Sequence, residues 1–291
     1  MKGTPDNARS PGTLFVVATP IGNLEDITLR ALRVLRESAL VAAEDTRRTG
    51  NLLRHYQIQT PLLSLHEHNE QLRAGRLVER LKAGDSVALV SDAGTPGISD
   101  PGAGLVRAAR DAGCKVEPIP GPSAVTALLS AAGLPFDRFV FAGFPPTKSK
   151  DRQEWFEWVA SLDSWPVVCF EAPHRIVRTL EECRVYFGKR PIIMARELTK
   201  TFEQWLEGTA DQLLGQFAAG RGEFVFVLRP VDPEESTAKA SSDADVTREF
   251  GLITETMTGS RRDAIRRTAT ALGLPPKRVY EALERHKKSV E

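Results

Sequence analysis

Three short loops hold the residues whose types and spacing could do chemistry: residues 18–24 (ATPIGNL), 91–102 (SDAGTPGISDPG) and 118–124 (PIPGPSA). Each is punctuated by Gly and Pro. Glycine lets backbone approach a ligand closely, and proline fixes the turn that presents it. One such loop is an ordinary tight turn; three leaving the carboxyl ends of strands in one open α/β sheet would frame a ligand crevice. None matches G-x-G-x-x-G after a strand, and G-x-x-x-x-G-K-[ST] does not occur, so the dinucleotide and P-loop readings fall away. The loops expected to rim that crevice carry Asp100, Glu197 and Glu44, which could accept a proton, and Lys200, Arg175 and His174, which could steady negative charge or hold phosphate. The competing reading of each is a structural ion pair. His66-Glu67-His68 sets two histidines on one face of a strand without a third ligand at sensible spacing, and reads as a local polar site rather than a metal centre.

The elements that must position these loops follow from hydrophobic periodicity. Residues 13–18 (TLFVVA) are rich in β-branched types and nearly continuous, as in a strand buried on both faces. Residues 27–37 place Leu29, Leu32 and Leu35 at helical spacing behind Asp26 and Thr28. Further strands are expected at 40–43, 62–65, 86–91 and 115–119, with helices at 46–56, 69–83 and 102–112 between them, the signature of parallel βαβ units. A helix at 123–132 precedes a second strand set at 138–144, 166–171, 192–196, 202–206 and 223–229, more antiparallel in character. Trp155, Trp158, Phe139 and Phe141 have core spacing. Beyond a polar, acidic stretch, Ser260 and Asp263 resemble a capping box. Ile265, Ala269 and Leu272 form a stripe, residues 273–276 (GLPP) break it, and Val279, Leu283 and His286 resume it. The expected organisation is a flexible tail (1–12), an N-terminal α/β domain (13–125), a C-terminal α/β domain (126–230), a linker (231–246) and a helix-turn-helix-like tail (247–291).

Composition narrows the class. The chain has 291 residues, 41% hydrophobic and 26% charged, which suits a globular protein of about two domains. A net charge of +1 argues neither for nor against nucleic acid, although basic residues crowd the last forty positions. Cys114, Cys169 and Cys183 are scattered and odd in number, which fits a reducing cytoplasm rather than a disulfide framework or zinc site. Residues 1–12 lack the apolar run of a signal peptide, and no stretch approaches a membrane span.

The motifs TPIGNLEDIT (19–28), AAEDTR (42–47), SDAGTPGISDPG (91–102), PIPGPSA (118–124), FEAPHRI (170–176) and ARELTKTFEQ (195–204) are similar to those of the RNA-modifying branch of the tetrapyrrole-methylase superfamily. The likeness runs continuously from about Gly12 to Arg229. It implies a two-domain α/β fold with the cofactor cleft between the domains, plus a small C-terminal helical domain. S-adenosylmethionine would be the cofactor, and the reaction 2′-O-methylation of a cytidine ribose in the 16S rRNA decoding centre, within the small ribosomal subunit. The protein would be a homodimer. Where tetrapyrrole methylases carry a first loop G-x-G-P-G and a G-D-P turn, this chain has Ala-Thr-Pro-Ile-Gly and Gly94-Thr95-Pro96, which turns away from a porphyrin-type substrate. Carried over position by position, cofactor contacts would be Pro20, Ala93, Gly94, Thr95, Ile98, Ser123, Ala124, Glu171 and Leu198.

Methyl transfer to a hydroxyl needs in-line alignment and a base or a cation for the developing alkoxide, and no metal. Asp100 or Glu197 would be the base, with Lys200 nearby. RNA contacts would fall to Arg47, Arg48, Lys148, Arg152 and Arg175, and in the tail to Arg261, Arg262, Arg266, Arg267, Lys277, Arg278, Lys287 and Lys288, unless these are a solvated helix face. The rival readings are a small-molecule methyltransferase on the same fold and a non-catalytic RNA-binding assembly factor.

Overall fold

The computed structural model describes residues 10–216, 222–231, 243–256, 260–272, 274 and 276–290. They form two compact units, Met1–Pro230 and Val231–Glu291.

The first unit begins with a parallel sheet of order β3-β2-β4-β1-β5. Its strands are β1 (Thr13–Val17), β2 (Leu40–Ala43), β3 (Leu62–Ser64), β4 (Val87–Val90) and β5 (Lys115–Ile119). Between them run α1 (Leu29–Glu37), α2 (Thr46–His55), α3 (Glu70–Lys82) and α4 (Ala103–Asp111). Successive strand side chains point to opposite faces. Val41, Ala43, Ala88 and Val90 therefore meet α1 and α2, while Leu40, Ala42, Val87 and Leu89 meet α3 and α4. Both faces are covered, which is why these strands read as unbroken apolar runs. Thr28 caps α1, its hydroxyl accepting the Ala31 N–H at 3.1 Å, and Asp45 caps α2 through the Arg47 N–H at 2.8 Å.

After β5 the chain enters a mixed sheet of order β6-β7-β10-β8-β9, with β6 (Val140–Gly143), β7 (Val167–Glu171), β8 (Ile192–Arg196), β9 (Gln204–Gly208) and β10 (Phe224–Leu228). Strand β10 lies antiparallel between β7 and β8. Helices α6 (Ser149–Ala160), α7 (Ile176–Phe187) and α8 (Ala210–Leu214) cover one face. The other is covered by α5 (Ala124–Ala131), whose Val125, Leu128 and Leu129 pack on Val168, Ile193, Val225 and Val227.

Several expectations shift. Helix α5 belongs to the second sheet, so the chain changes sheets at residues 120–123 rather than at 125, and both sheets share one compact unit. Strand β9 starts two residues later than residue 202, because residues 197–203 form a turn closed by the Thr199 N–H donating to Glu203 Oε2 at 2.6 Å. Trp158 and Phe139 are exposed rather than core, while Trp155 donates its ring N–H to the Ala142 carbonyl and Phe141 packs on Phe170.

Among the described residues the second unit holds three helices rather than two: α9 (Asp243–Thr256), α10 (Arg261–Leu272) and α11 (Pro276–Val290). Its core is Val246, Ala269, Val279, Ala282 and Leu283. The expected linker to residue 246 overlaps α9. Asp243 stands in the first turn of that helix, where carboxylates favour the dipole, and pairs with Arg278 and Arg285, both at 2.8 Å. His286 faces solvent instead of continuing the stripe. The side chains of Asp263, Lys277, Lys287 and Lys288 lie outside the described residues. Among the described residues no helix is long and apolar enough to cross a membrane.

Candidate functional site

The three Gly/Pro loops meet. Thr19 of the first and Gly94 of the second exchange both backbone hydrogen bonds, at 2.9 and 3.0 Å. The Thr19 hydroxyl also donates to the Ser91 carbonyl at 3.2 Å. Thr95 of the second loop donates its hydroxyl to the Pro122 carbonyl of the third at 3.3 Å. Gly94 sits at φ +77°, a left-handed conformation that only glycine adopts without cost. The junction therefore depends on residue type at this position, and it stands at the carboxyl ends of β1, β4 and β5.

Against this junction lies a cavity of about 380 Å³. The first sheet contributes Ile21, Glu44, Arg48, Asp92 to Thr95 and Ile98 to Asp100; Ser123 and Ala124 follow; Phe144, Phe170 to Pro173, Leu198 and Glu223 to Val225 come from the second sheet and its loops. Such a volume matches a small-molecule site, and the mix of an apolar wall with a few convergent polar groups is what such sites show.

Five carboxylate residues line the cavity: Glu171 and Glu223 beside the second sheet, and Glu44, Asp92 and Asp100 from loops of the first. Asp92 accepts the Asp45 N–H at 2.9 Å and pairs with Arg48 at 3.5 Å. Burial raises the Asp100 carboxyl to about 6; the Ser91 hydroxyl opposes this, and the neighbouring charges of Glu44 and Asp92 add to it. Burial raises Glu44 as well. A concentration of desolvated negative charge of this kind favours a cation.

Of the carried-over positions, Ala93, Gly94, Thr95, Ile98, Ser123, Ala124, Glu171 and Leu198 line this cavity, as does Asp100. Pro20 faces instead a smaller neighbouring cavity of about 170 Å³, also bounded by Arg48 and Asp92. Glu197 and Lys200 border neither. Lys200 Nζ bridges Glu197 Oε1 at 2.9 Å and Glu223 Oε2 at 3.0 Å, and Glu197 accepts the Glu223 N–H at 2.8 Å. Burial pushes the Glu197 carboxyl up, but the Lys200 ammonium and the Glu223 amide outweigh it and hold the group below its ordinary value. This pair fastens a turn, which leaves Asp100 as the candidate base at the cavity.

The Glu171 carboxylate has no solvent exposure and anchors a buried network. It pairs with Arg175 at 3.0 Å and Arg152 at 3.9 Å, and accepts the Thr179 hydroxyl and the Ala172 N–H. Arg175 donates to the Pro145 carbonyl and Arg152 to the Pro146 carbonyl, so the network clamps the segment that follows Phe144. Arg152 is 2% exposed and also held by Glu182 and Thr179; it belongs to the interior and offers nothing to an RNA surface. Arg175 is likewise occupied. Arg47, Arg48 and Lys148 remain accessible. His66 shares a hydrogen bond with Asn69 at 2.8 Å, and among the described residues no three His, Cys, Asp or Glu side chains gather as metal ligands.

Sequence reasoning passed over Phe144 and Phe170. The one available signal was an aromatic residue directly ahead of Pro145-Pro146 at the end of a strand, and Phe144 is indeed 46% exposed toward the cavity it lines.

A parallel sheet joined to a mixed one, with a carboxylate-bearing cavity at the loop junction, defines the class: a two-sheet α/β protein with a small-molecule cleft. Solved structures support the architecture. Diphthine synthase superposes with a TM-score of 0.60 at 19% identity, over 75% of this chain and 90% of that one. Uroporphyrin-III-C-methyltransferase from Thermus thermophilus gives 0.52 at 22%, over 75% and 92%. Residues 13–214 match the Tetrapyrrole (Corrin/Porphyrin) Methylases model, and the chain belongs to that family. It is 43% identical over 274 residues to the ribosomal RNA small subunit methyltransferase I of Synechocystis sp., covering 93% of this chain and 96% of the relative. It is 56% identical over 195 residues to the protein of the same name from Pseudomonas aeruginosa, covering 67% and 69%. The chain is thus a methyltransferase, with S-adenosylmethionine as its methyl donor. The cavity suits that donor: carboxylates for its sulfonium and ammonium charges, loop backbone at Ala93–Thr95 for its polar edges, and Ile98, Phe144, Phe170 and Leu198 for its flat apolar part.

Proposed function

We propose that this chain methylates 16S ribosomal RNA of the small subunit, at the ribose 2′-oxygen of a cytidine in the decoding centre. The observation that carries the reading is the meeting of three loops of one sheet with the wall of the second, around a cavity to which the first sheet's loops bring the carboxylates of Glu44, Asp92 and Asp100. The names of its relatives support an RNA substrate, as do the exposed cations Arg47 and Arg48 on α2. The reading puts the reaction in the cytoplasm, on an assembled small subunit. It also makes the protein a homodimer, and the exposed Leu29 and Phe202 are large apolar groups that a second copy would cover.

Bound in the cavity, the donor supplies an already activated methyl group, so the residues chiefly align and shield. Backbone at Ala93–Thr95, with Ser123 and Ala124, fixes orientation, and Phe144, Phe170 and Leu198 exclude water. Glu44 and Asp92 hold the cationic charge. Asp100, whose pKa of about 6 lies close to neutrality, adds its charge to theirs and accepts the proton of the ribose hydroxyl.

Calorimetric titration with the donor, followed by transfer of labelled methyl to small subunits and mass mapping of the modified ribose, tests the proposal. Saturable binding and one new 2′-O-methylcytidine are expected. Donor binding without transfer to any RNA would return the question to the small-molecule and assembly-factor readings.

A further inference from the structure

Beside the donor cavity lies the second one, of about 170 Å³, and the two share the side chains of Arg48 and Asp92 as a common wall. The second cavity opens between the first loop and α2. Its apolar surfaces are Pro20, Leu24 and Leu52; its polar ones include Thr49 and Asn51. The volume is below the roughly 300–1,000 Å³ of sites that enclose a whole ligand, so it suits a fragment such as one ring.

Two of the polar groups, Arg48 and Asn51, bring donors, beside the carboxylate of Asp92. Asn51 Oδ1 already accepts Arg54 Nη1 at 2.9 Å, so what Asn51 still has to offer at this wall is the donor side of its amide. Arg48 spends one nitrogen on Asp92 at 3.5 Å and has further N–H groups to give. The walls are also held firm. The Tyr56 hydroxyl donates to the Leu24 carbonyl at 2.6 Å, and the Asn23 N–H donates to Thr199 Oγ1 at 3.2 Å.

We propose that this smaller cavity receives the base of the acceptor nucleotide, a pyrimidine with two adjacent acceptors on its pairing edge, between Pro20, Leu24 and Leu52 and under the donors of Arg48 and Asn51. The inference rests on the functional reading above and deepens it. A nucleotide whose ribose must reach the methyl donor has to leave its stack, and enzymes read such a base by stacking on apolar side chains and bonding its pairing edge. Cytosine offers O2 and N3 as neighbouring acceptors, whereas uracil carries a proton on N3. Two donors therefore select cytosine. Arg48, common to both cavities, ties base recognition to the donor site.

Two substitutions test the proposal. Leu24→Trp fills the cavity from a partly exposed position, and Asn51→Ala removes a donor on the exposed face of α2. Affinity for S-adenosylhomocysteine is measured by calorimetry, and single-turnover transfer to small subunits by labelled methyl. Both variants are expected to keep donor affinity within about twofold. Leu24→Trp should lose about 10²-fold in transfer, the cost of a 1 Å misplacement of a reacting group, and Asn51→Ala about tenfold, one hydrogen bond to the base. Transfer at the wild-type rate by Leu24→Trp overturns the proposal. Loss of donor binding by either variant overturns it too, since the cavity would then be an extension of the donor site. If the unaltered protein binds donor but modifies no subunit, the functional reading itself fails, and this inference with it.

Discussion

Affinity for the methyl donor should follow the ionisation of Asp100. The carboxyl sits at about 6 because burial disfavours its charge, with Glu44 and Asp92 adding repulsion. A cation entering the cavity interacts with the ionised form, so binding draws the proton off and weakens as pH falls through that value. For one group at about 6, the ionised fraction falls from about nine-tenths at pH 7 to about one-tenth at pH 5, which is about a tenfold loss of affinity. Asp100→Asn fixes the neutral state. A unit charge pair at about 4 Å is worth up to about 4 kcal/mol near a protein surface. Asp100 is partly solvated, so we expect about 1–2 kcal/mol, or about 5- to 30-fold weaker binding, and a much flatter pH profile between 5 and 7. Folding runs the other way. A folded pKa raised above the unfolded one means that the ionised group opposes folding, a cost absent below the unfolded value of 3.8 and complete above about 6. After allowance for screening, Asp100→Asn should stabilise the fold at pH 7 by about 1 kcal/mol. Titration calorimetry across this range with both proteins, together with urea unfolding, gives every quantity. A wild-type affinity independent of pH, with equal binding by the variant, would refute the assignment of Asp100 to the cationic part of the donor.

Three further outcomes follow from the same geometry. Glu171→Ala leaves Arg152 buried with only Glu182 and neutral partners, and should cost about 3–5 kcal/mol in urea unfolding, with Glu171→Gln costing less. A Cβ at Gly22 would stand 2.5 Å from Lys200 Cγ and 2.8 Å from the Leu198 carbonyl oxygen, so Gly22→Ala should push the cavity-lining Leu198 outward and weaken donor binding about tenfold by calorimetry. Removing residues 231–291 deletes a separate compact unit that exposes Arg261, Arg262, Arg266 and Arg267. Donor binding should persist, while the salt dependence of RNA binding loses about 0.7–0.9 in slope for each phosphate contact removed.

The first sheet was legible because both of its faces are buried, so apolar runs such as VVA and VALV could be little else, and because Thr28 and Asp45 mark helix starts by chemistry visible in the sequence. The loops were legible for the same reason: glycine and proline announce backbone that must bend. Side-chain destinations were not. Glu197, Lys200, Arg152 and Asp100 look alike in the sequence as charged residues close to motifs, yet burial makes Arg152 structural, pairing occupies Glu197 and Lys200, and only Asp100 lines the cavity. Charge type is local information, whereas the partner that neutralises a charge is fixed by contacts across tens of residues, such as Arg152 with Glu182 and Lys200 with Glu223. The start of α9 was missed for a related reason. An acidic run reads as a solvated linker until the arginines that neutralise it, Arg278 and Arg285, are brought to it by folding.

Backbone strain makes a separate argument for where the chemistry lies. Among the described residues, non-glycine positions at positive φ are Gln57, Ser99, Glu197 and Thr199. Ser99 lines the donor cavity beside Asp100, and Glu197 and Thr199 flank Leu198, which lines its other side. A left-handed conformation costs a residue of these types on the order of 1 kcal/mol or more and persists only where surrounding contacts enforce it. Here hydrogen bonds and an ion pair supply those contacts. The Lys200 bridge and the Glu223 N–H hold Glu197, while Thr199 is tied through Glu203 and through the Asn23 N–H of the first loop. Glu197, one of the two expected bases, thus has a different function: its ion pair with Lys200 holds the turn that carries Leu198, so that strain there is balanced by charge pairing one residue away. Replacing Lys200 with Met should therefore loosen donor binding without shifting the pH at which that binding is half lost, since the titrating carboxylate is on the opposite sheet. A shifted midpoint, read by the same calorimetric titrations, would show that Lys200 acts on Asp100 electrostatically rather than through the position of Leu198.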